Sequence, residues 1–580
     1  MSGAAVAALV AMCLVALLSA AIGALGVRFA RSTSDFLVAS RTVGPAANAG
    51  AISGEYLSAA SFLGIAGLIL RDGVDALWYP VGYTAGYLAL VLFVAAPLRR
   101  SGAYTIPDFA EARLHSPALR RVGTAFVVVI GWLYLLPQLE GAGLTLTVVT
   151  NLPAWTGAVA VTVVVVANVM FGGMRSITFV QAFQYWFKFS ALLIPAAIAL
   201  TAFFGTGHTF GRPAPPSFPE RTVVVVHTDV VLEVTAPTPL VASGRVDGID
   251  RPGAPLVWEP GRHVVTAPTT LTFDRGLPVP VVAGAPVTDD AWLQPFHQGR
   301  EDGLLATYSL IIATFLGTMG LPHVLVRFYT NPDGRAARRT AVIVLGLLGA
   351  FYVSVILLGA LSRLYTPQLL VNGDTDAAVL LLPTAVLGSG PAGAVLGAVV
   401  AAGAWAAFLS TSSGLIVSIA GVLSTDVFGS GRPRDFRVAA FLAGIVPLAL
   451  SLAVNRLDFS EAVALVFAVA ASTFCPLLVL GIWWRGLTAP GAIAGVLVGG
   501  LLSAGAVAAS LTGWGGEGWL GVLLYRPAIV SVPAAFLTMI VGSLLTAGHR
   551  PEDAEQVMLQ MHAPERLGLG HDRVDAIDSE

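Results

Sequence analysis

Apolar residues recur along this chain in long blocks, separated by short stretches rich in arginine, glycine and proline. A helix that crosses the hydrocarbon core of a bilayer needs roughly 20 apolar residues, and most of the blocks have that length. Read between the breaks, the pattern predicts about 13 spans: 4–27, 46–70, 76–97, 122–149, 154–173, 177–205, 304–326, 339–362, 388–424, 437–454, 460–484, 489–511 and 525–547. The ninth is too long for one simple crossing and should include a lead-in helix. In the first block the arginines, Arg28 and Arg31, follow the apolar stretch instead of preceding it. That order fits a retained helix better than a cleaved signal peptide.

Residues 206–303 interrupt this pattern. They are Pro-rich and hold β-type runs at Thr222–Val226, Val230–Val234, His263–Thr266 and Thr269–Phe273, separated by turn signals. A small extracytoplasmic β-rich insertion is expected there, and its role reads as structural, with no site assigned to it. The segments that follow are 1–45, a leading helix and loop; 46–205 and 304–485, two helical halves; 486–547, two trailing helices; and 548–580, a polar cytoplasmic tail.

Arginine placement orients the spans. Seventeen arginines fall on one set of alternate loops, Arg99, Arg113 and Arg327 among them, and four on the short loops of the other. Positive loops face the cytoplasm, so the expected protein is a multi-pass cell-membrane protein with its N-terminus outside and its C-terminus inside.

Composition narrows the class. Of the 580 residues, 56% are hydrophobic and 11% charged, against about 25% charged in soluble domains. A net charge of −2 offers no basic field for nucleic acid. Cys13 and Cys475 are the only cysteines, each inside an apolar block, so neither a disulfide framework nor a thiolate metal site is expected. Lys188 is the only lysine against 31 arginines, and Phe187 precedes it, so no G-x-x-x-x-G-K-[ST] phosphate loop exists. No H-E-x-x-H or G-x-S-x-G occurs either, so no enzyme and no cofactor is expected. The arginine, alanine and glycine bias suggests a high-GC bacterial source.

The chemistry is expected where helices break, because freed backbone groups can hold ions and solute. The second span carries Gly50-Ala51-Ile52-Ser53-Gly54-Glu55-Tyr56-Leu57-Ser58-Ala59-Ala60-Ser61, small and polar with a carboxylate at its centre; the seventh carries Gly317-Thr318-Met319-Gly320-Leu321-Pro322. Five spans separate the two, which is the arrangement of two five-helix inverted repeats, spans 2–6 and 7–11. In the ninth span, Ser410-Thr411-Ser412-Ser413 either bond back to the preceding turn or complete an oxygen shell for Na⁺. Each ionisable residue in a span also needs a role. Glu55 could attract an ion or take a proton; Glu140, beside Gln138, could face the same cavity. Lys188 either counters an anionic solute or snorkels to the cytoplasmic face.

Gly54-Glu55-Tyr56-Leu57-Ser58-Ala59-Ala60-Ser61-Phe62-Leu63-Gly64, Phe171-Gly172-Gly173-Met174 and Gly320-Leu321-Pro322-His323-Val324-Leu325-Val326-Arg327-Phe328-Tyr329-Thr330 resemble the sodium:solute symporter family. They are most similar to its acetate or short-chain monocarboxylate permease branch. The likeness covers roughly residues 33–545 apart from the insertion. It implies an all-α polytopic membrane protein of the leucine-transporter type, a 5+5 inverted repeat with one extra N-terminal and two extra C-terminal helices. It also implies a Na⁺ site between the second and ninth spans, with ligands at the carbonyls of Gly54, Leu57 and Ala407 and the hydroxyls of Ser410 and Thr411.

Departures from the family pattern matter for the solute. The carboxylate that proline-type members carry beside the ion falls at Tyr56, and the aspartate of sugar-type members falls at Gln181. Tyr56, Ala60 and Ser61 replace the polar residues that sugar carriers place on the second span. The expectation is Na⁺-coupled import of acetate, propionate or pyruvate, with Glu55, Tyr56, Ser58, Ser61, Gln138 and Gln181 near the solute. The alternatives are proline, another small solute or proton coupling on the same fold, and a membrane sensor that uses residues 206–303.

Overall fold

The computed structural model describes residues 2–27, 38–209, 216–296, 303–429, 432–453, 459–511, 519–564 and 567. The arginines Arg28, Arg31 and Arg456 of the orientation count and most of the tail beyond 564 lie outside these residues. Among the described residues, 11 helices are long and apolar enough to cross a membrane. Two pairs of the expected spans run together. The end of the second continues into the third as Ala60–Phe93, and the fifth and sixth form one helix, Ala154–Gly205.

The helical elements used below are α1 (Gly3–Val27), α2 (Pro45–Tyr56), α3 (Ile65–Asp72), α4 (Trp78–Phe93), α5 (Ala95–Arg100), α6 (Ile106–Leu114), α7 (Pro117–Thr150), α8 (Ala154–Gly205), α9 (Gly303–Thr318), α10 (Pro322–Val326), α11 (Gly334–Tyr365), α12 (Ala378–Leu387) and α13 (Pro391–Val422). They are followed by α14 (Pro433–Ala453), α15 (Phe459–Trp483), α16 (Ala489–Leu511) and α17 (Ala528–Leu545). The ninth span contains no separate lead-in helix: α13 runs unbroken over Pro391–Val422, and the short helix before it, α12, ends at Leu387. Within α8 the backbone leaves helical geometry at Gly173, at φ 60 and ψ −176. Only glycine adopts that conformation without strain, and the chain turns there into a second crossing.

Helix α13 is the packing centre. It lies against α1, α7 and α8, and every residue from Val400 to Val422 is buried. Its Ala, Gly and Ser side chains let neighbouring backbones approach closely, the usual basis of helix association in lipid. Toward the bilayer, large apolar side chains such as Leu17, Val163 and Leu501 remain exposed on the molecular surface, as a lipid-facing shell requires.

The insertion forms a six-stranded antiparallel sheet: β1 (Thr222–Val226), β2 (Val230–Val234), β3 (Thr238–Val246), β4 (Ile249–Trp258), β5 (Gly261–Phe273) and β6 (Val281–Val282). The order is β4-β3-β5-β2-β6, with β1 also on β5, in registers such as Val224↔Leu271 and Leu232↔His263. Two of the β-type runs are β1 and β2, and the other two lie within β5. Strands β3 and β4 went unread because Pro239, Pro252 and Pro255 punctuate them; the edge strand β4 can carry prolines that donate no ladder bond. Alternating inward residues, Val224, Leu232, Trp258, Leu271 and Phe273, share one core with Leu70, Leu369 and Leu370 of the helical body. The sheet therefore sits on helix ends.

Candidate functional site

Pro45 at the first turn starts α2, and the helix stops at Tyr56 because Leu57 turns out of helical geometry at φ −80 and ψ 86. Ser58 follows, and the helix resumes through a π turn, Ala60–Gly64, into α3. The restart is held from the side: the Ala59 amide donates to Gln138 Oε1 at 3.0 Å. Opposite, α9 ends at Thr318 and α10 restarts at Pro322, so the second expected break is present as well.

The break in α2 frees the carbonyls of Gly54 and Leu57, and α13 faces them. Ser410 Oγ donates to Gly54 O at 2.6 Å and to its own-turn Ala407 O at 3.0 Å. Thr411 Oγ1 donates to Glu55 O at 2.8 Å. Gly54, Leu57, Ala407, Ser410 and Thr411 are thus brought together, all buried. At the centre of the group lies a side chain that was not assigned there. Lys188 of α8 is fully buried, and its Nζ donates to Gly54 O at 2.6 Å, to Leu57 O at 2.5 Å and to Ser410 Oγ at 3.3 Å. The snorkelling alternative for Lys188 is overturned, because the side chain turns inward to carbonyls that need a cation.

Glu55 faces a second cation. Arg327 Nε bonds Glu55 Oε2 at 2.7 Å with both side chains fully buried. The guanidinium also reaches Thr178 Oγ1 at 3.0 Å and Gln181 Oε1, while Gln181 Nε2 donates to Ser410 O at 2.8 Å. Asn48 Nδ2 bonds the Arg327 carbonyl at 3.0 Å. Counting Arg327 among the loop arginines is therefore wrong: it follows an apolar run as a loop arginine would, but it points into the protein. An ionised side chain at the centre of a membrane helix costs roughly 2.5–3.5 kcal/mol on insertion scales. Three such groups persist here because each meets a countercharge or carbonyl oxygens.

The remaining assigned residues fall around the same break. Tyr56 Oη and Thr318 Oγ1 are 2.9 Å apart, linking the two broken helices. Ser61 Oγ meets Tyr352 Oη at 3.3 Å, and Ser58 is buried in the break itself. Glu140 is half-buried, shallower than its position in the span suggested. Between the breaks, Phe467 of α15 lies beside Tyr83 at 4.8 Å, Tyr134 at 6.1 Å and Tyr56 at 6.4 Å between ring centroids. His323, part of a quoted motif but not assigned a role, packs its ring 5.1 Å from Tyr134. Both His323 ring nitrogens and Gln138 Nε2 are buried without a hydrogen-bond partner among the described residues. Gln138 is one helical turn from Tyr134 on the same face of α7.

The chain is similar to known proteins over most of its length. The chain is 27% identical over 549 residues to an uncharacterized symporter, YwcA, of Bacillus subtilis, covering 92% of this chain and 93% of that one. It is 27% identical over 574 residues to a monocarboxylic acid transporter of Corynebacterium glutamicum, covering 94% and 92%. The structure of a Na⁺-coupled sialic acid symporter, substrate-bound and outward-open, shares the fold with a TM-score of 0.63 at 12% identity, covering 93% of this chain and 98% of that one. The sodium:solute symporter family matches residues 36–213 and 293–499, flanking the β sheet on both sides. This chain belongs to the sodium:solute symporter family and is a transporter, not an enzyme.

Proposed function

We propose that this protein imports a small monocarboxylate of the acetate, propionate or pyruvate kind, coupled to a cation, by alternating access around the two broken helices. The observation that carries this reading is the set of unpartnered polar atoms, Gln138 Nε2 and the His323 ring, buried between the breaks beside Tyr56, Tyr83, Tyr134 and Phe467. A buried donor without an acceptor is costly, and a carboxylate supplies the acceptor. The half-helix restarting at Ala59 adds the positive end of its dipole. Charge agrees: Glu55, Arg327 and Lys188 together carry one excess positive charge when ionised, which one monocarboxylate balances. The relative named for monocarboxylic acids points to the same solute class.

In this reading residues 46–205 and 304–485 form the two inverted repeats, with the N-terminus outside and the tail in the cytoplasm of a bacterial cell. Na⁺ is the coupling ion the family implies, held by Gly54, Leu57, Ala407, Ser410 and Thr411 if Lys188 withdraws. A second coupling, by protons, has its own observation, the Lys188 ammonium on those same oxygens. Uptake of radiolabelled acetate into proteoliposomes tests the function, with propionate, pyruvate, proline and nucleobases as competitors. Carboxylates should compete. Saturable uptake displaced by proline but not by propionate or pyruvate would reassign the solute.

A further inference from the structure

We propose that Lys188 is a built-in cation that takes the place of Na⁺ between α2 and α13, so that the oxygens of this site take no Na⁺. The assignment deepens the cation-coupled reading above and rests on it. An ammonium has three N–H donors and no acceptor. Three oxygens receive them here: the Gly54 carbonyl, the Leu57 carbonyl and Ser410 Oγ. The Ser410 hydroxyl proton is turned away, toward the Gly54 and Ala407 carbonyls, which leaves its lone pair for Lys188. A neutral residue would leave the freed carbonyls of the break unsatisfied in a dry interior, and a Na⁺ ion cannot share the volume that Nζ fills.

The charges around Lys188 are few. Glu55 on α2 is the charged group that acts on it, and Glu55 is itself paired with Arg327. Helices α1, α12 and α13, in contact with α8, carry no Asp, Glu, Lys or Arg.

Two measurements on the purified full chain test the assignment. In the first, thermal unfolding is compared in NaCl and in choline chloride. The wild-type protein should melt at the same temperature in both, whereas Lys188→Ala and Lys188→Met should melt several degrees higher in NaCl, because Na⁺ then enters the vacated oxygens. Na⁺ stabilisation of the wild type, or no Na⁺ response in either variant, would overturn the assignment; if neither variant folds, the wild-type comparison still decides. The second measures acetate uptake into proteoliposomes. Accumulation by the wild type should be unchanged when choline replaces Na⁺. Accumulation by the wild type that requires Na⁺ would equally overturn it. The melting comparison needs no solute, so a wrong solute class and a wrong coupling ion give different results.

Discussion

Gly414 faces the Glu55 carboxylate so closely that a Cβ there would lie 2.0 Å from it, and only the Glu55 side chain could yield. Gly414→Ala should therefore push Glu55 off Arg327, and uptake by protein reconstituted at the wild-type level should fall to background; unchanged uptake would show that the pair tolerates displacement. The pair itself can be tested by a double-mutant cycle. Removing one member of a buried ion pair costs about 3–5 kcal/mol because the other charge is stranded. Glu55→Gln and Arg327→Met should each destabilise on that scale in denaturant unfolding, and the double variant by much less than the sum. Additive losses would contradict the pairing. At this scale the sequence was only half legible. A carboxylate amid Gly and Ser in a membrane span announces itself, and so does a Ser-Thr pair; their partners do not. Arg327 ends an apolar run and Lys188 sits mid-helix, and the sequence alone does not show which way a long side chain turns.

Among elements, the insertion is tied to the broken helix. Trp292 Nε1 donates to the carbonyls of Ile69 and Leu70 at 3.0 and 3.2 Å at the C-terminal end of α3, where the Gly73 amide also caps Ile69 O. Arg363 of α11 stacks over the Trp292 ring at 4.8 Å and bonds Asp289 at 2.9 Å. Because α3 is the second half of the interrupted span, any tilt of that half pulls on the sheet. Trp292→Ala should loosen this tie, and limited proteolysis should cut the sheet faster while the helical body stays intact; an unchanged cleavage rate would mean that the shared apolar core alone holds it. At the opposite ends of the helices, Arg120 of α7 bonds Asp426, just beyond α13, at 2.6 Å and Glu111 of α6 at 2.5 Å. It also donates to Tyr104 Oη at 2.6 Å, and burial, more than the nearby Asp108, pushes that phenol up to about 12, so it stays neutral at any physiological pH. Broken helices could be found from sequence because Gly, Ser and Pro have local meanings. The Trp292 anchor could not, since it joins residues more than 200 positions apart.

For the whole molecule, orientation and energetics meet in the arginines. Arg41, Arg99 and Arg113 bond carbonyls of neighbouring segments, Gly102 at 2.8 Å, Asn331 at 2.6 Å and Gly481 at 3.0 Å, so they join segments of the chain. Arg327 has a different place: it is part of the charge balance of the proposed transport site. That balance has a consequence for the driving force. Each net charge crossing the membrane is worth about 2.3 kcal/mol per 100 mV. Glu55, Arg327 and Lys188 move no charge of their own if they stay with the protein, and a monovalent anion entering with one monovalent cation adds none. Uptake should therefore be indifferent to a potential clamped with potassium and valinomycin. The same liposomes should respond steeply to the gradient of the coupling ion at zero potential. If an inside-negative potential accelerates uptake, more than one cation accompanies each carboxylate, and a second cation site would have to exist beyond the oxygens around Lys188.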